Sequence, residues 1–148
     1  MLKQVSVSEA HALQQSGSTY VDVRSTGEFE NGHPAGAVNV PIFEPDEDTG
    51  QMTPNADFVR VVQSSFAPDA PLLIGCQVGG RAVRAAQVLA SFGFTNLSVV
   101  RGGFGGARDP LGRITDPGWA DAGLPVASGA AGGGAYQNLL ARADDDRK

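Results

Sequence analysis

Residues 71–93 read PLLIGCQVGGRAVRAAQVLASFG, and this stretch sets the architecture of the chain. Pro71–Gly75 is a short, unbroken apolar run of the kind that forms a strand buried on both faces of a sheet. Cys76–Gly80 follows as a predicted loop, and Arg81–Phe92 as a predicted helix that ends before Gly93, a residue suited to the turn after a helix. The order strand, loop, helix is typical of a parallel sheet covered by helices.

Strands and helices alternate along the rest of the chain in the same way. Three further predicted strands are short and rich in β-branched residues: Thr19–Val23, Ala37–Val40 and Leu97–Val100. Three further predicted helices show capping boxes or apolar residues at helical spacing: Ser6–Gly17, Ser25–Gly32 and Asn55–Phe66. Residues 44–50, EPDEDTG, are expected to form a solvated acidic loop. The alternation predicts an α/β fold with right-handed crossovers and a central, mostly parallel sheet.

The helix after the loop has a predicted buried face of small and apolar residues. Its members are Ala82, Ala85, Ala86, Leu89 and Phe92. Small alanines allow this helix to approach the sheet closely, so we interpret the face as core and give it no chemical role.

The composition of the 148 residues excludes several classes of function. The net charge is 11 − 16 = −5, which argues against a nucleic-acid surface because neutralising phosphates takes clustered Lys and Arg. One cysteine excludes an internal disulfide and a cysteine-based zinc site, and it fits a reducing compartment. No apolar run approaches the ~20 residues of a membrane span, and Met1–Ser6 shows no basic stretch followed by an apolar one. We therefore expect a soluble, cytoplasmic protein with neither a membrane nor a nucleic-acid partner.

The composition changes near the C-terminus. Ser128–Gly134 is almost entirely Gly and Ala, which is typical of a flexible linker. The apolar residues of Tyr136–Ala143 favour a short amphipathic helix, and Asp144–Lys148 is expected to fray. We therefore predict a domain over residues 1–127 and a Gly/Ala-rich linker and tail over residues 128–148.

The single cysteine stands where ligands bind in such sheets, in the loop between the carboxyl end of a strand and a helix. Gln77–Gly80 holds two glycines and no acid, so its backbone N–H groups can form an anion site at the helix N-terminus. Such a site, with Arg81 beside it, is expected to hold Cys76 as a thiolate nucleophile. The alternative is a small buried cysteine at a strand end, with Arg81 as an ordinary helix cation. An arginine in a first helical turn is unfavourable without an anion, which favours the chemical interpretation.

Cys76–Arg81 resembles the Cys-x-x-Gly-x-Arg active-site loop of the single-domain rhodaneses, which are sulfurtransferases. Further motifs match that family in order and spacing: Asp22–Arg24, Glu28–Phe29, Gly32–Ala37, Asn39, Pro41, Arg101–Gly103, Trp119 and Gly123–Pro125. The resemblance covers residues 5–126. In one departure, Pro34 follows His33 directly, where the family usually has a branched apolar residue between them.

The resemblance implies a three-layer rhodanese-like fold with a central, mostly parallel five-stranded sheet and helices on both faces. By analogy, Cys76 takes the outer sulfur of a donor such as thiosulfate, becomes a persulfide and passes the sulfur to cyanide or to a thiol, including one on a protein. Binding of the persulfide and of a small anionic donor is assigned to Gln77, Val78, Gly79, Gly80 and Arg81. Asp22 and Arg24 become supports of the loop geometry, with a structural ion pair as the alternative. The resemblance implies no metal and no organic cofactor, because the cysteine carries the sulfur.

Two other functions compete with sulfur transfer. Phosphatases of the cell-cycle type and the related arsenate reductases need Cys-x5-Arg, and Cys76 and Arg81 stand one residue too close together for that motif. A non-catalytic or sulfur-relay module that binds a partner is the second alternative, although retention of both residues favours an enzyme. The segment 104–118 is longer than in compact rhodaneses, and its Arg108 and Arg113 are expected to be solvated.

Overall fold

The computed structural model describes residues 2–130 and 132–146. Its helices are α1 (Val7–Gln15), α2 (Thr26–Asn31), α3 (Phe58–Ser65), α4 (Gly80–Ser91) and α5 (Tyr136–Asp146). Its strands are β1 (Lys3–Val5), β2 (Thr19–Asp22), β3 (His33–Pro34), β4 (Val38–Asn39), β5 (Phe43–Pro45), β6 (Met52–Pro54), β7 (Leu72–Gly75), β8 (Leu97–Val100), β9 (Ala107–Arg108), β10 (Ile114–Asp116) and β11 (Val126–Ala127).

Five of these strands form one parallel sheet in the order β1-β8-β7-β2-β4. Strand β7 lies at its centre and all of its residues are buried, which confirms the strand predicted from the apolar run. The sequence pattern does not predict the edge strand β1, because three residues with only Val5 buried are too few to show a periodicity. The predicted α/β fold with a central five-stranded sheet is confirmed.

Helices cover both faces of the sheet, so the protein has the three layers expected. One face carries α3, α4 and α5, and its core includes Val21, Val61, Ile74, Ala85, Leu89, Val99 and Leu139. The other face carries α1 and α2, and its core includes Ala10, Tyr20, Phe29, Leu73, Val100 and Trp119. The carboxyl ends of β2 and β7 lie side by side, with Asp22 in register with Gly75.

Both predicted capping boxes are present. At the start of α1, the Ser6 side chain accepts the backbone N–H of Glu9, and the Glu9 carboxylate accepts the N–H of Ser6. Ser25 and Glu28 make the same pair of bonds at the start of α2. The second box fixes Glu28 in the first turn of α2.

Phe92 departs from the prediction. The other four residues of the predicted α4 face, Ala82, Ala85, Ala86 and Leu89, are buried. Phe92 is 57% exposed instead, because α4 ends at Ser91 and the chain turns at Gly93. Phe94, after the turn, is the aromatic residue that enters the core.

The C-terminal helix packs on α3. Leu139 and Ala143 of α5 are buried in the same core as α3 and α4. Arg60 of α3 forms an ion pair with Asp144 at 3.1 Å, and Ser64 donates a hydrogen bond to Asp146. The predicted fraying is therefore wrong for Asp144–Asp146, since these bonds extend the helix; residues 147–148 lie outside the described residues. Among residues 2–130 and 132–146, no helix is long and apolar enough to cross a membrane.

The predicted acidic loop is part of a hairpin. Glu44 and Pro45 belong to β5, which pairs antiparallel with β6, so the predicted acidic loop is confined to the turn between them. Within that turn, the Asp46 carboxylate accepts the backbone N–H groups of Asp48 and Thr49. Such Asx turns favour a hairpin even where acidic composition predicts an irregular, solvated loop.

The longer segment 104–118 contains the hairpin of β9 and β10. Arg108 forms an ion pair with Asp121 at 2.9 Å, and Arg113 forms one with Asp109 at 2.7 Å. Both arginine side chains are also exposed, at 42% for Arg108 and 73% for Arg113, as expected for solvated residues. Neither guanidinium is assigned to a ligand.

Candidate active site

Cys76 follows the central strand β7 directly and is buried, with 2% of its surface exposed. The chain then turns through the loop and enters α4, for which Gly79 is the N-cap. The backbone N–H of Ala82, in the first turn of α4, points at the Cys76 sulfur at 3.4 Å. The sulfur therefore lies at the positive N-terminal end of a helix, the environment in which a negatively charged sulfur is stabilised.

A second segment holds the loop from outside. The backbone N–H of Phe104 donates to the Cys76 carbonyl at 2.8 Å, and that of Gly105 donates to the Gln77 carbonyl at 2.9 Å. Gly103 has a φ of +56°, and a Cβ on it would overlap the Cys76 carbonyl. This close approach requires glycine at position 103. These residues were not predicted to belong to the site, although the glycine-rich run after β8 could have indicated a close contact between backbone segments.

A buried ion pair supports the loop from below. Arg24 Nη2 lies 2.7 Å from Asp22 Oδ2, and the two side chains are only 3% and 1% exposed. Arg24 also donates to the Gln77 side-chain oxygen at 3.0 Å and to the Gly32 carbonyl at 2.7 Å. Its guanidinium lies 4.6 Å from the centre of the Phe104 ring. The structure thus brings Asp22 and Arg24 to the loop, where they are an ion pair that orients Gln77.

The outer part of the loop is open. Val78 is 51% exposed. A Cβ placed on Gly79 or Gly80 would meet no described atom within 4 Å. The space beside these two glycines is therefore open.

Arg81 forms an ion pair with Glu28, which was predicted only as part of the capping box of α2. Arg81 Nη1 donates to Glu28 Oε1 at 2.6 Å, and Nη2 donates to Oε2 at 3.0 Å. The bond from Arg81 is the main cause that lowers the pKa of Glu28 to about 2, and the same bond raises the pKa of Arg81. Sequence spacing gave no signal for this pair, because the two residues stand 53 positions apart.

In the described part of the chain, residues 2–130 and 132–146, no three side chains of His, Cys, Asp and Glu come together in a way that could hold a metal ion. His33 is buried, stacks on Phe29 with ring centres 3.6 Å apart and bonds through Nδ1 to the Phe29 carbonyl at 2.6 Å. Its ring therefore has a structural role in the turn after α2.

The fold and this loop are those expected of a rhodanese-like domain, and comparison with known proteins identifies the same family. The family model of the rhodanese-like domain matches residues 6–108, so the chain belongs to the rhodanese-like domain family. Thiosulfate sulfurtransferase 16, chloroplastic, from Arabidopsis thaliana is 37% identical over 122 residues, which are 82% of this chain and 90% of the relative. The crystal structure of Rv0390 from M. tuberculosis has a TM-score of 0.71 at 26% identity, covering 86% of this chain and 98% of that one.

The relatives also correct the predicted location. Rhodanese-like domain-containing protein 15, chloroplastic, from Arabidopsis thaliana is 37% identical over 100 residues, 68% of this chain and 54% of that protein. Like sulfurtransferase 16, it is named as chloroplastic, so the prediction of a cytoplasmic location is wrong. A single cysteine fits any reducing compartment, so it does not distinguish the cytoplasm from an organelle with a reducing interior.

Proposed function

We propose that this chain is a sulfurtransferase in which Cys76 carries sulfur as a persulfide between a donor and a thiophilic acceptor. The observation that carries the proposal is the position of Cys76 at the end of β7, with its sulfur facing the N-terminus of α4. The relative named thiosulfate sulfurtransferase supports the same type of enzyme. The proposal includes no cofactor, because the cysteine itself holds the transferred atom.

The first half-reaction with thiosulfate as donor is a displacement at sulfur. The Cys76 thiolate attacks the sulfane sulfur, and a new S–S bond forms to it. The bond between the sulfane sulfur and the sulfonate group breaks, and sulfite leaves with the electron pair. The enzyme is left with a persulfide whose charge is stabilised by the backbone N–H groups from Gln77 to Arg81 and by the dipole of α4.

The second half-reaction regenerates the thiolate. A nucleophile such as cyanide or a thiolate attacks the outer sulfur of the persulfide, and the S–S bond breaks with its electrons returning to Cys76. The open backbone at Gly79 and Gly80 is the approach for donor and acceptor. Arg24, through its bond to Gln77, positions the loop and does not touch the reacting atoms.

The chain length of the loop favours sulfur over phosphate chemistry. Four residues separate Cys76 and Arg81, whereas the phosphatases and arsenate reductases of related type use five. The fifth residue widens the ring of N–H groups to fit a tetrahedral oxyanion. A persulfide adds a single atom to the cysteine and fits the smaller ring.

The test is intact-mass analysis of the protein after incubation with thiosulfate, beside a Cys76→Ala control. We expect the wild type alone to gain the mass of one sulfur atom, and cyanide to remove it with release of thiocyanate. If the wild type gains no sulfur from thiosulfate or from a low-molecular-weight persulfide, the proposal fails. A partner-binding module would then be the better interpretation.

A further inference from the structure

The carboxylate of Glu28 occupies two donor groups of Arg81, the residue to which the resemblance assigns binding of an anionic sulfur donor. Two parallel bonds join the groups, from Nη1 to Oε1 at 2.6 Å and from Nη2 to Oε2 at 3.0 Å. This fork-to-fork arrangement is the geometry in which a guanidinium binds a planar carboxylate or an oxyanion. Arg81 is therefore not a free cation at the edge of the loop.

Glu28 is held in this position from a second side. Its Oε1 accepts the backbone N–H of Ser25 at 3.2 Å and the Ser25 hydroxyl at 3.0 Å, as part of the capping box of α2. Displacement of Glu28 from Arg81 by a donor would leave the carboxylate beside the donor, since the cap keeps it there. The lowered pKa of Glu28 means that it stays ionised across the physiological range.

The pair also lies within reach of solvent. The Arg81 side chain is 27% exposed and that of Glu28 is 34% exposed. The carboxylate thus meets any ligand that approaches Arg81 from outside, and the net charge of the pair is zero.

We infer that Glu28 determines donor specificity by filling the bidentate face of Arg81, so that the site disfavours donors bearing an oxyanion next to the sulfane sulfur. This inference rests on the proposed function and narrows its substrate class. The favoured donor is a persulfide of a thiol, R–S–SH, whose sulfane sulfur carries no sulfonate. The Cys76 thiolate attacks the outer sulfur and a new S–S bond forms to it. The S–S bond of the donor breaks, and R–S⁻ leaves with the electron pair, while the proton stays on the new persulfide.

The test uses the charge dependence of alkylation at the only cysteine of the chain. Iodoacetate is an anion and iodoacetamide is uncharged, so the ratio of their rates at Cys76 reports the electrostatics of the site without sulfur transfer. We expect Glu28→Gln to raise this ratio about threefold or more, the size of effect that a partly exposed charge exerts. Glu30→Gln, on the same helix, controls for net charge, and Glu9→Gln controls for loss of a capping box; both are expected to leave the ratio unchanged.

A second readout follows the donors themselves. Glu28→Gln is expected to lower the KM for thiosulfate by about threefold while the KM for an alkyl persulfide stays the same. A Glu28→Gln ratio of alkylation rates equal to that of the wild type overturns the inference. If Glu28→Gln unfolds, Glu28→Ala removes the carboxylate with a good helix former and must move the ratio in the same direction. If the wild type takes sulfur from neither donor, the proposed function fails, and the alkylation ratio still decides the role of Glu28.

Discussion

Arg24 donates a 3.0 Å hydrogen bond to the side-chain oxygen of Gln77, and this bond ties the residue after Cys76 to a buried guanidinium. Arg24 is fixed in turn by Asp22 and by the Gly32 carbonyl. The backbone of Gln77 is held separately, by the N–H of Gly105. The loop is therefore attached at both its side chain and its main chain to elements that precede and follow it.

The first prediction concerns this attachment. Gln77→Ala removes the side-chain bond but leaves Arg24 paired with Asp22, so we expect a stability loss of only about 1 kcal/mol. Sulfur transfer is expected to fall by about tenfold, because a small displacement of the loop misplaces the sulfur. Gln87→Ala, an exposed glutamine of α4, is the matched control. Equal rates of sulfur loading in the two variants would contradict the role given to Arg24 and Gln77.

The second prediction concerns the open backbone at Gly80. Gly80→Ala places a methyl group where no described atom lies within 4 Å, and alanine is the better helix former, so thermal stability is expected to stay the same or rise. Under the proposed approach of the donor beside Gly80, sulfur loading is expected to fall by about tenfold, because the methyl group occupies part of that open space. Gly27→Ala, in the first turn of α2 and equally unobstructed, is expected to leave loading unchanged. Wild-type loading in Gly80→Ala would show that the donor does not approach there.

The third prediction follows from the pKa of Glu28, which is lowered from 4.5 to about 2, chiefly by the hydrogen bond from Arg81. A carboxyl group whose pKa is lower in the folded state stabilises the fold above its ordinary pKa, and this contribution is lost as the pH falls towards 2. We therefore expect the wild type to exceed Glu28→Gln in free energy of unfolding by a constant amount above pH 5, and the difference to shrink at lower pH. Urea unfolding at a series of pH values measures it. With Glu30→Gln as control, a pH-independent gap for Glu28→Gln would exclude the ion pair as its origin.

The fourth prediction concerns the C-terminal helix. Leu139 is buried in the core shared with α3 and α4, so Leu139→Ala is expected to cost about 2–5 kcal/mol. Leu111→Ala makes the same change at a side chain that is 78% exposed, and its effect is expected to stay within about 0.5 kcal/mol. Urea unfolding of both variants is the measurement. Similar unfolding midpoints would mean that α5 contributes nothing to the stability of the core.

Local signals in the sequence were enough to predict most of the elements. The capping boxes at Ser6 and Ser25 depend on residues three positions apart, and both are present. The apolar run of β7 and the glycine after α4 are likewise signals contained within a few residues. Where the local signal was short or absent, as for the edge strand β1 and the hairpin turn at Asp46, the prediction missed the element or gave it the wrong form.

In the candidate site, too, the local features were predictable from the sequence and the long-range contacts were not. Position along the chain was sufficient to single out Cys76 and its loop, because a lone cysteine between a buried strand and a glycine-bearing helix start is visible without coordinates. The partners of that loop come from distant segments: Glu28 on Arg81, Arg24 on Gln77 and the N–H of Phe104 on the Cys76 carbonyl. Parallel strands joined by crossovers bring these segments to one edge of the sheet. Their spacing in the sequence does not show which side chains come into contact there. Under the proposed function, these contacts set the charge that a donor meets at Arg81.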